Sequence, residues 1–380
     1  MMLDYEILRI IWWLLLGVLL VGFAVMDGFD LGVGMILHRV AKTNSERRVV
    51  INTIGPTWEG NQVWLILGGG AIFAAWPALY ALAFSGFYFG LLLILFALIL
   101  RPVGFKYRSK IDHTCWRAAW DVALFIGGFV PALVFGVAIG NALQGAPFYF
   151  DETFRSFYSG TFWGLLNPFA ILCGFLSVGM MIMHGAVYLT IKTEGAVQTR
   201  ARRYAYIGAM VTILLFAAAG VWVSHDLAGY VLISAPNVAG ESSPFGATVT
   251  KVMGGWMHNY SLCPVLFFVP SLGFLGALCA ALLVFFQCHR LAWISSASSI
   301  AGIIATVGIS MFPFILPSSI RPNMSLMVWN ASSSQLTLFI MLVASIIFVP
   351  IILAYTSWVY YIMRGKVTEA YVRHHDHDAY

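Results

Sequence analysis

Apolar runs long enough to cross a lipid bilayer, joined by short polar connections, constrain this chain more than any motif it carries. A membrane core of about 30 Å takes about 20 apolar residues in helical form. Nine runs reach that length: 7–36, 51–76, 79–100, 120–143, 163–189, 203–224, 262–286, 292–313 and 335–362. The composition agrees, because 60% of the 380 residues are hydrophobic and only 10% are charged, too few for a soluble domain of this size. The expected fold is an all-α polytopic membrane protein of nine transmembrane helices, a single integral membrane domain over 1–380. The first run lacks a basic leader and a small-residue cleavage site and is too long for a signal peptide, so it is expected to persist in the mature chain.

Lys and Arg set the orientation, since they accumulate in cytoplasmic loops. The connections after runs one, three, five and seven and the C-terminal tail hold 17 of the 21 basic residues, leaving Arg9, Arg155, Lys251 and Arg321 on the other side. With nine crossings this predicts an N-terminus outside and a C-terminus in the cytoplasm. The external connections 144–162, 225–261 and 314–334 are rich in Pro, Gly, Ser and aromatic residues, and 225–261, the longest, is expected to be a mobile external flap. Gly28/Gly32, Gly86/Gly90 and Gly136/Gly140 have the spacing of close helix crossings, although glycine is common in membrane helices in any case.

Several chemistries find no support. Five cysteines with no CxxC pair give neither a disulfide framework nor a zinc site, and no metal centre is expected. The net charge of +5 is spread over short loops and does not call for nucleic acid. The tail His374-His375-Asp376-His377-Asp378 can bind metal on composition, but a solvated polar end is the simpler reading. A haem in a helical bundle needs a deep axial ligand. His38, His113 and His289 fall near the cytoplasmic ends of runs, His225 and His258 fall outside, and only His184 lies within a run, where a hydrogen-bonded structural role is the simpler reading. No phosphate-binding glycine loop or nucleophile–base pair is present, so no catalytic residue is assigned to this chain alone.

What remains is acidic. The stretch Trp58-Glu59-Gly60-Asn61-Gln62-Val63-Trp64 puts a carboxylate, two amides and two indoles at the mouth of an apolar run, and ionisable groups inside a bilayer usually mark a pathway or a partner. Asp27 and Asp30 are three residues apart and share a helix face. Counted from Ile7 at about 1.5 Å per residue, Asp27 lies about 30 Å down, close to the cytoplasmic boundary. Pro56 suits a first helical turn, which sets Glu59 near the same boundary. Such carboxylates can relay protons, bind a cation or pair with a base such as Arg101. The proton-path candidates are therefore Glu59, Asp27 and Asp30, with Arg101, Trp58, Asn61, Gln62 and Trp64 as charge-pairing or structural neighbours.

With these residues in view the chain resembles subunit II of the bacterial cytochrome bd quinol oxidases. The likeness is carried by Asp27-Gly28-Phe29-Asp30-Leu31-Gly32, Glu46-Arg47-Arg48, Trp58-Glu59-Gly60-Asn61-Gln62-Val63-Trp64-Leu65, Phe73-Ala74-Ala75-Trp76-Pro77, Arg101-Pro102-Val103-Gly104-Phe105, Met311-Phe312-Pro313-Phe314 and Ser333-Ser334-Gln335-Leu336-Thr337-Leu338. These run in order along the chain. The resemblance implies two four-helix bundles plus one peripheral helix, paired in a bacterial cytoplasmic membrane with a haem-bearing subunit I, and in some complexes with a small single-helix accessory subunit. It implies a terminal oxidase of aerobic respiration that oxidises quinol near the outer face and reduces oxygen to water with cytoplasmic protons. Two b haems and one haem d belong to subunit I, and family members can hold a quinone in subunit II. Glu59 falls at the family's acidic entrance position, where some members have Asp, and His184 falls where others have Gln. Two rival readings stay open: a secondary transporter with Asp27, Asp30 and Glu59 as its ion site, and a structural anchor of another membrane redox complex. Transporter sites usually sit near the midplane between repeats, and neither feature is evident.

Overall fold

The computed structural model describes residues 3–374. The helices are α1 (Tyr5–Met26), α2 (Gly28–Val40), α3 (Asn44–Ile54), α4 (Trp58–Ala75), α5 (Pro77–Gly86), α6 (Tyr88–Tyr107), α7 (Thr114–Gln144), α8 (Pro168–Lys192), α9 (Gly195–His225), α10 (His258–Leu262), α11 (Phe268–Phe285), α12 (His289–Met311), α13 (Gln335–Ile362) and α14 (Glu369–His374). Among the described residues eight helical stretches are long and apolar enough to cross a membrane, α1 and α2 counting as one from Tyr5 to Val40. The expected crossing at 51–76 is divided. Pro56 has no N–H to continue the ladder, so α3 stops at Ile54 and α4 restarts at Trp58, its first turns diluted by Glu59, Asn61 and Gln62. The expected run 79–100 is bent at Phe87 and then extends through Arg101 to Tyr107. The candidate metal tail falls outside the described residues, save for the backbone of His374.

α8 is the centre. In its apolar window 78% of residues are buried, against 6% in α13, and it packs on α2, α7, α9 and α12. Glycines let it come close. A Cβ on Gly32 would lie 1.9 Å from the Met181 carbonyl oxygen of α8, and one on Gly136 would lie 2.4 Å from the Cys173 carbonyl oxygen. Only glycine fits such backbone-to-backbone crossings.

Each of the connections 144–162, 225–261 and 314–334 forms a two-stranded antiparallel ribbon, so the chain is helical with small β additions. They are β1 (Phe148–Phe150) with β2 (Ser156–Tyr158), β3 (Ala228–Ser234) with β4 (Thr248–Met253), and β5 (Phe314–Leu316) with β6 (Leu326–Met327). In 225–261, buried Tyr230 donates to the Gln144 carbonyl at 3.1 Å and buried Trp256 to the Leu143 carbonyl at 3.0 Å, which pins the ribbon to the end of α7. The tip of that segment is gripped by Arg9, which donates to the Val238 carbonyl (2.6 Å), the Gly240 carbonyl (3.0 Å) and the Ser242 hydroxyl (3.0 Å) and stacks 3.5 Å over the Tyr5 ring.

At the opposite end α3 opens with a capping box. Glu46 accepts from the Lys42 and Thr43 backbone N–H groups at 2.6 and 3.2 Å, and from Arg200 Nη2 at 2.7 Å. The Arg200 hydrogen bond, ahead of the backbone donors, holds the Glu46 carboxyl down at about 2. Here Arg47 and Arg108 also enclose Asp121, at 2.7 Å and 2.5 Å, with Asp121 fully buried. These contacts tie α3, α6, α7 and α9 together on the side where the basic residues gather.

Candidate functional site: a buried acidic centre

Asp27 stands at the junction of α1 and α2, capping neither through its side chain, so its carboxylate is free to reach α6. Arg101 meets it with both arms, Nη2 to Oδ1 at 2.9 Å and Nη1 to Oδ2 at 3.1 Å. Planar guanidinium against planar carboxylate is the strongest form of such a pair. One turn on, Asp30 points the same way, its Oδ2 3.9 Å from Arg101 Nη2. The amide of Asn61, on α4, donates to that Oδ2 at 2.7 Å. Asn61 Oδ1 in turn accepts from the Tyr360 hydroxyl of α13 at 2.6 Å. Trp58 roofs the group, 5.9 Å from the guanidinium carbon and packed against Phe105.

The centre is dry. Asp27, Asp30, Asn61 and Arg101 are all 2% exposed or less. Two carboxylates share one guanidinium, and Asp30 Oδ1 is buried with no hydrogen-bond partner among the described residues. A buried charge left unpaired is costly, and an isolated one shifts to its neutral form where it can. The arrangement offers one oxygen on which a proton can sit.

Of the residues picked from the sequence, Asp27, Asp30, Arg101, Trp58 and Asn61 meet. Glu59 does not join them. It is two residues before Asn61, hence on the other side of α4, where it is exposed on this chain. Gln62 is half-buried, and Trp64 lies further along α4 in a cluster with Phe23, Leu31, Ile94 and Leu98. One contributor to the centre, Tyr360, and one buried acid outside it, Asp121, held by Arg47 and Arg108, were not foreseen. Tyr360 sits in an aromatic helix end that reads as an interface belt, and Asp121 gave a usable signal, an acid inside an apolar run.

His184 is fully buried with both ring nitrogens engaged, Nδ1 with Ser296 Oγ at 2.7 Å and Nε2 with the Val25 carbonyl at 3.0 Å. A haem iron needs one of those lone pairs free, so this histidine does not fit an axial ligand. A cleft of about 440 Å³ between α8 and α9, lined by Ile171, Phe175, Gly179, Ile207 and Val211, is almost wholly apolar. It offers no side-chain donor to orient a quinone ring.

Comparison with known proteins agrees along the whole chain. The family described as cytochrome bd terminal oxidase subunit II matches residues 8–363. The cytochrome bd-I ubiquinol oxidase subunit 2 of Escherichia coli (strain K12) is 50% identical over 379 residues, covering 100% of both chains. A probable cytochrome oxidase subunit 2 from Haemophilus influenzae is 50% identical over 381 residues, again 100% of both. Cytochrome bd ubiquinol oxidase subunit 2 of Bacillus subtilis (strain 168) is 33% identical over 364 residues, 94% of this chain and 96% of that one. In fold, a chain of the bd oxidase from Geobacillus thermodenitrificans superposes with a TM-score of 0.70 at 17% identity, over 94% of this chain and 98% of that one. With the family matched over residues 8–363 and relatives of 50% identity aligned end to end, this chain belongs to the cytochrome bd terminal oxidase subunit II family.

Proposed function

We propose that this chain is the non-haem subunit of a bd-type quinol:oxygen oxidoreductase and that its acidic centre belongs to the path by which protons enter from the cytoplasm. One observation carries the reading: Asp27 and Asp30 are buried around a single guanidinium, and one Asp30 oxygen has no hydrogen-bond partner among the described residues. A relay needs a group that both takes and gives a proton, and a carboxylate in surplus over its counter-charge is such a group. Glu59, exposed in the first turn of α4, is the collecting group at the surface. The 17 basic residues on the Glu59 side support an N-terminus outside and a C-terminus in the cytoplasm. In this reading α4 is the ninth crossing, and the helices divide into two four-helix bundles with α13 at the periphery.

The names of the relatives, ubiquinol oxidase subunits, support quinol as the reductant. The two b haems and haem d are assigned to subunit I, which also carries the quinol-oxidising loop. The engaged nitrogens of His184 support that division. Haem chemistry moves the electrons, while the residues here hold and pass protons.

Purification from the native bacterial membrane tests the assignment. The protein is expected to arrive with a second integral subunit of similar size, haem b and haem d absorption, and quinol-driven oxygen uptake. His184→Gln should leave that spectrum intact. A colourless single subunit would favour a transporter, and a different set of partners would make the chain an anchor.

A further inference from the structure

Tyr360 of α13 reaches the acidic centre by a hydrogen bond, and among the described residues α13 is the least buried of the long helices. Its seating is specified at both ends. Near its start, Trp12 Nε1 donates to the Leu338 carbonyl at 2.9 Å and Gln335 Nε2 to the Leu3 carbonyl at 2.8 Å. Just past its end the chain is strapped to the last turn of α8. Lys192 Nζ donates to the Met363 carbonyl, and at 3.5 Å to the Gly365 carbonyl, while Val367 N–H donates to the Lys192 carbonyl at 2.8 Å. Tyr360 stands three residues before the first of those strap carbonyls, where that strap fixes its position.

The Asn61 amide has one accepting and one donating end, and which end faces Asp30 decides what Asp30 can do. A phenol O–H offered to Asn61 Oδ1 at 2.6 Å favours the orientation in which the NH₂ end meets Asp30 Oδ2 at 2.7 Å. With Oδ2 so engaged, Oδ1 is the Asp30 oxygen left open. We propose that Tyr360 is a positioning residue for the acidic centre: its hydroxyl orients the Asn61 amide, which in turn designates Asp30 Oδ1 as the oxygen that takes the proton. This rests on the reading of Asp30 as a proton-holding group. It adds that the centre is complete only when α13 is strapped down.

The test uses the whole assembled oxidase, with haem content as the check on assembly, and follows oxygen reduction against pH. The groups facing Asp30 are Asp27, Arg101 from α6, Asn61 from α4, Tyr360 from α13 and Tyr188 from α8. Tyr360→Phe keeps the ring and removes the hydroxyl. Without the phenol the Asn61 amide is held less firmly, its hydrogen bond to the charged carboxylate weakens, and the protonated form is favoured. The limb of the pH–rate profile set by Asp30 should move to higher pH by about one unit, the size expected for one lost hydrogen bond to a charged group. Asn61→Ala removes the bond to Asp30 itself and should give a displacement in the same direction and at least as large, and in that background Tyr360→Phe should add nothing. A parental profile for Tyr360→Phe or Asn61→Ala, or an undiminished Tyr360→Phe effect in the Asn61→Ala background, overturns the inference. Should Tyr360→Phe yield no oxidase, Asn61→Ala alone decides. Asp30→Asn separates the two levels. If it is slowed while Tyr360→Phe and Asn61→Ala behave as the parent, only the role of Tyr360 falls. If Asp30→Asn matches the parent across pH, the proton-holding reading falls and takes this inference with it.

Discussion

At the scale of single residues, Arg101 is what makes two aspartates tolerable in an apolar interior. It gives both arms to Asp27 and lies within 3.9 Å of Asp30, with a side chain 3% exposed. Removing one partner of a buried pair leaves an uncompensated charge that costs about 3–5 kcal/mol. Arg101→Ala is therefore expected to lower the amount of assembled oxidase in the membrane, measured as haem per milligram of membrane protein. Arg101→Lys should restore only part, since an ammonium cannot match both oxygens. Normal assembly of Arg101→Ala would make Arg101 a topology-setting charge and nothing more. Much of this was readable in the sequence. The Asp27/Asp30 spacing, Asn61 beside Glu59 and a lone arginine at a helix end are all local features. Tyr360 was not, because its partner is 299 positions away and no local pattern singles it out from Trp358 or Tyr361.

At the scale of elements, apolar runs located the helices well but misjudged where they stop. Run 335–362 coincides with α13, whereas the run ending at 100 continues to Tyr107 as α6. A charge ends a hydrophobic window in sequence, but in the fold Arg101 is neutralised from another helix and need not end anything. The ribbons in the connections 144–162, 225–261 and 314–334 escaped for a different reason, since strands of 2–7 residues carry too short a period to read. The helical glycines sort by what faces them. On Gly32 a Cβ would meet backbone of α8, which cannot swing aside, while on Gly17 of α1 it would meet nothing within 4 Å. Gly32→Ala should cost about 1–3 kcal/mol through forced separation of α2 and α8. Gly17→Ala should be neutral or slightly stabilising. Thermal loss of haem absorbance in the purified complex reads both, and equal melting of the two variants would refute the crossing as a determinant of stability.

At the scale of the whole molecule, a buried α8 holds the helices together, an exposed α13 is strapped to its end, and the acidic centre lies where α2, α4, α6 and α13 converge. Composition sufficed for the polytopic helical class, because that is set by the bilayer rather than by packing. That Glu59 and the aspartates lie on different sides of α4 required the fold. The central claim is that this chain brings cytoplasmic protons toward the site of oxygen reduction, and Glu59→Gln tests it most directly. An amide of the same size keeps the shape and cannot carry a proton. Oxygen consumption at saturating quinol is measured across pH on the purified complex. The expected result is unchanged haem content and quinol affinity with turnover lowered about tenfold or more, and near-parental rates for Glu59→Asp. Parental turnover of Glu59→Gln at every pH would contradict the account.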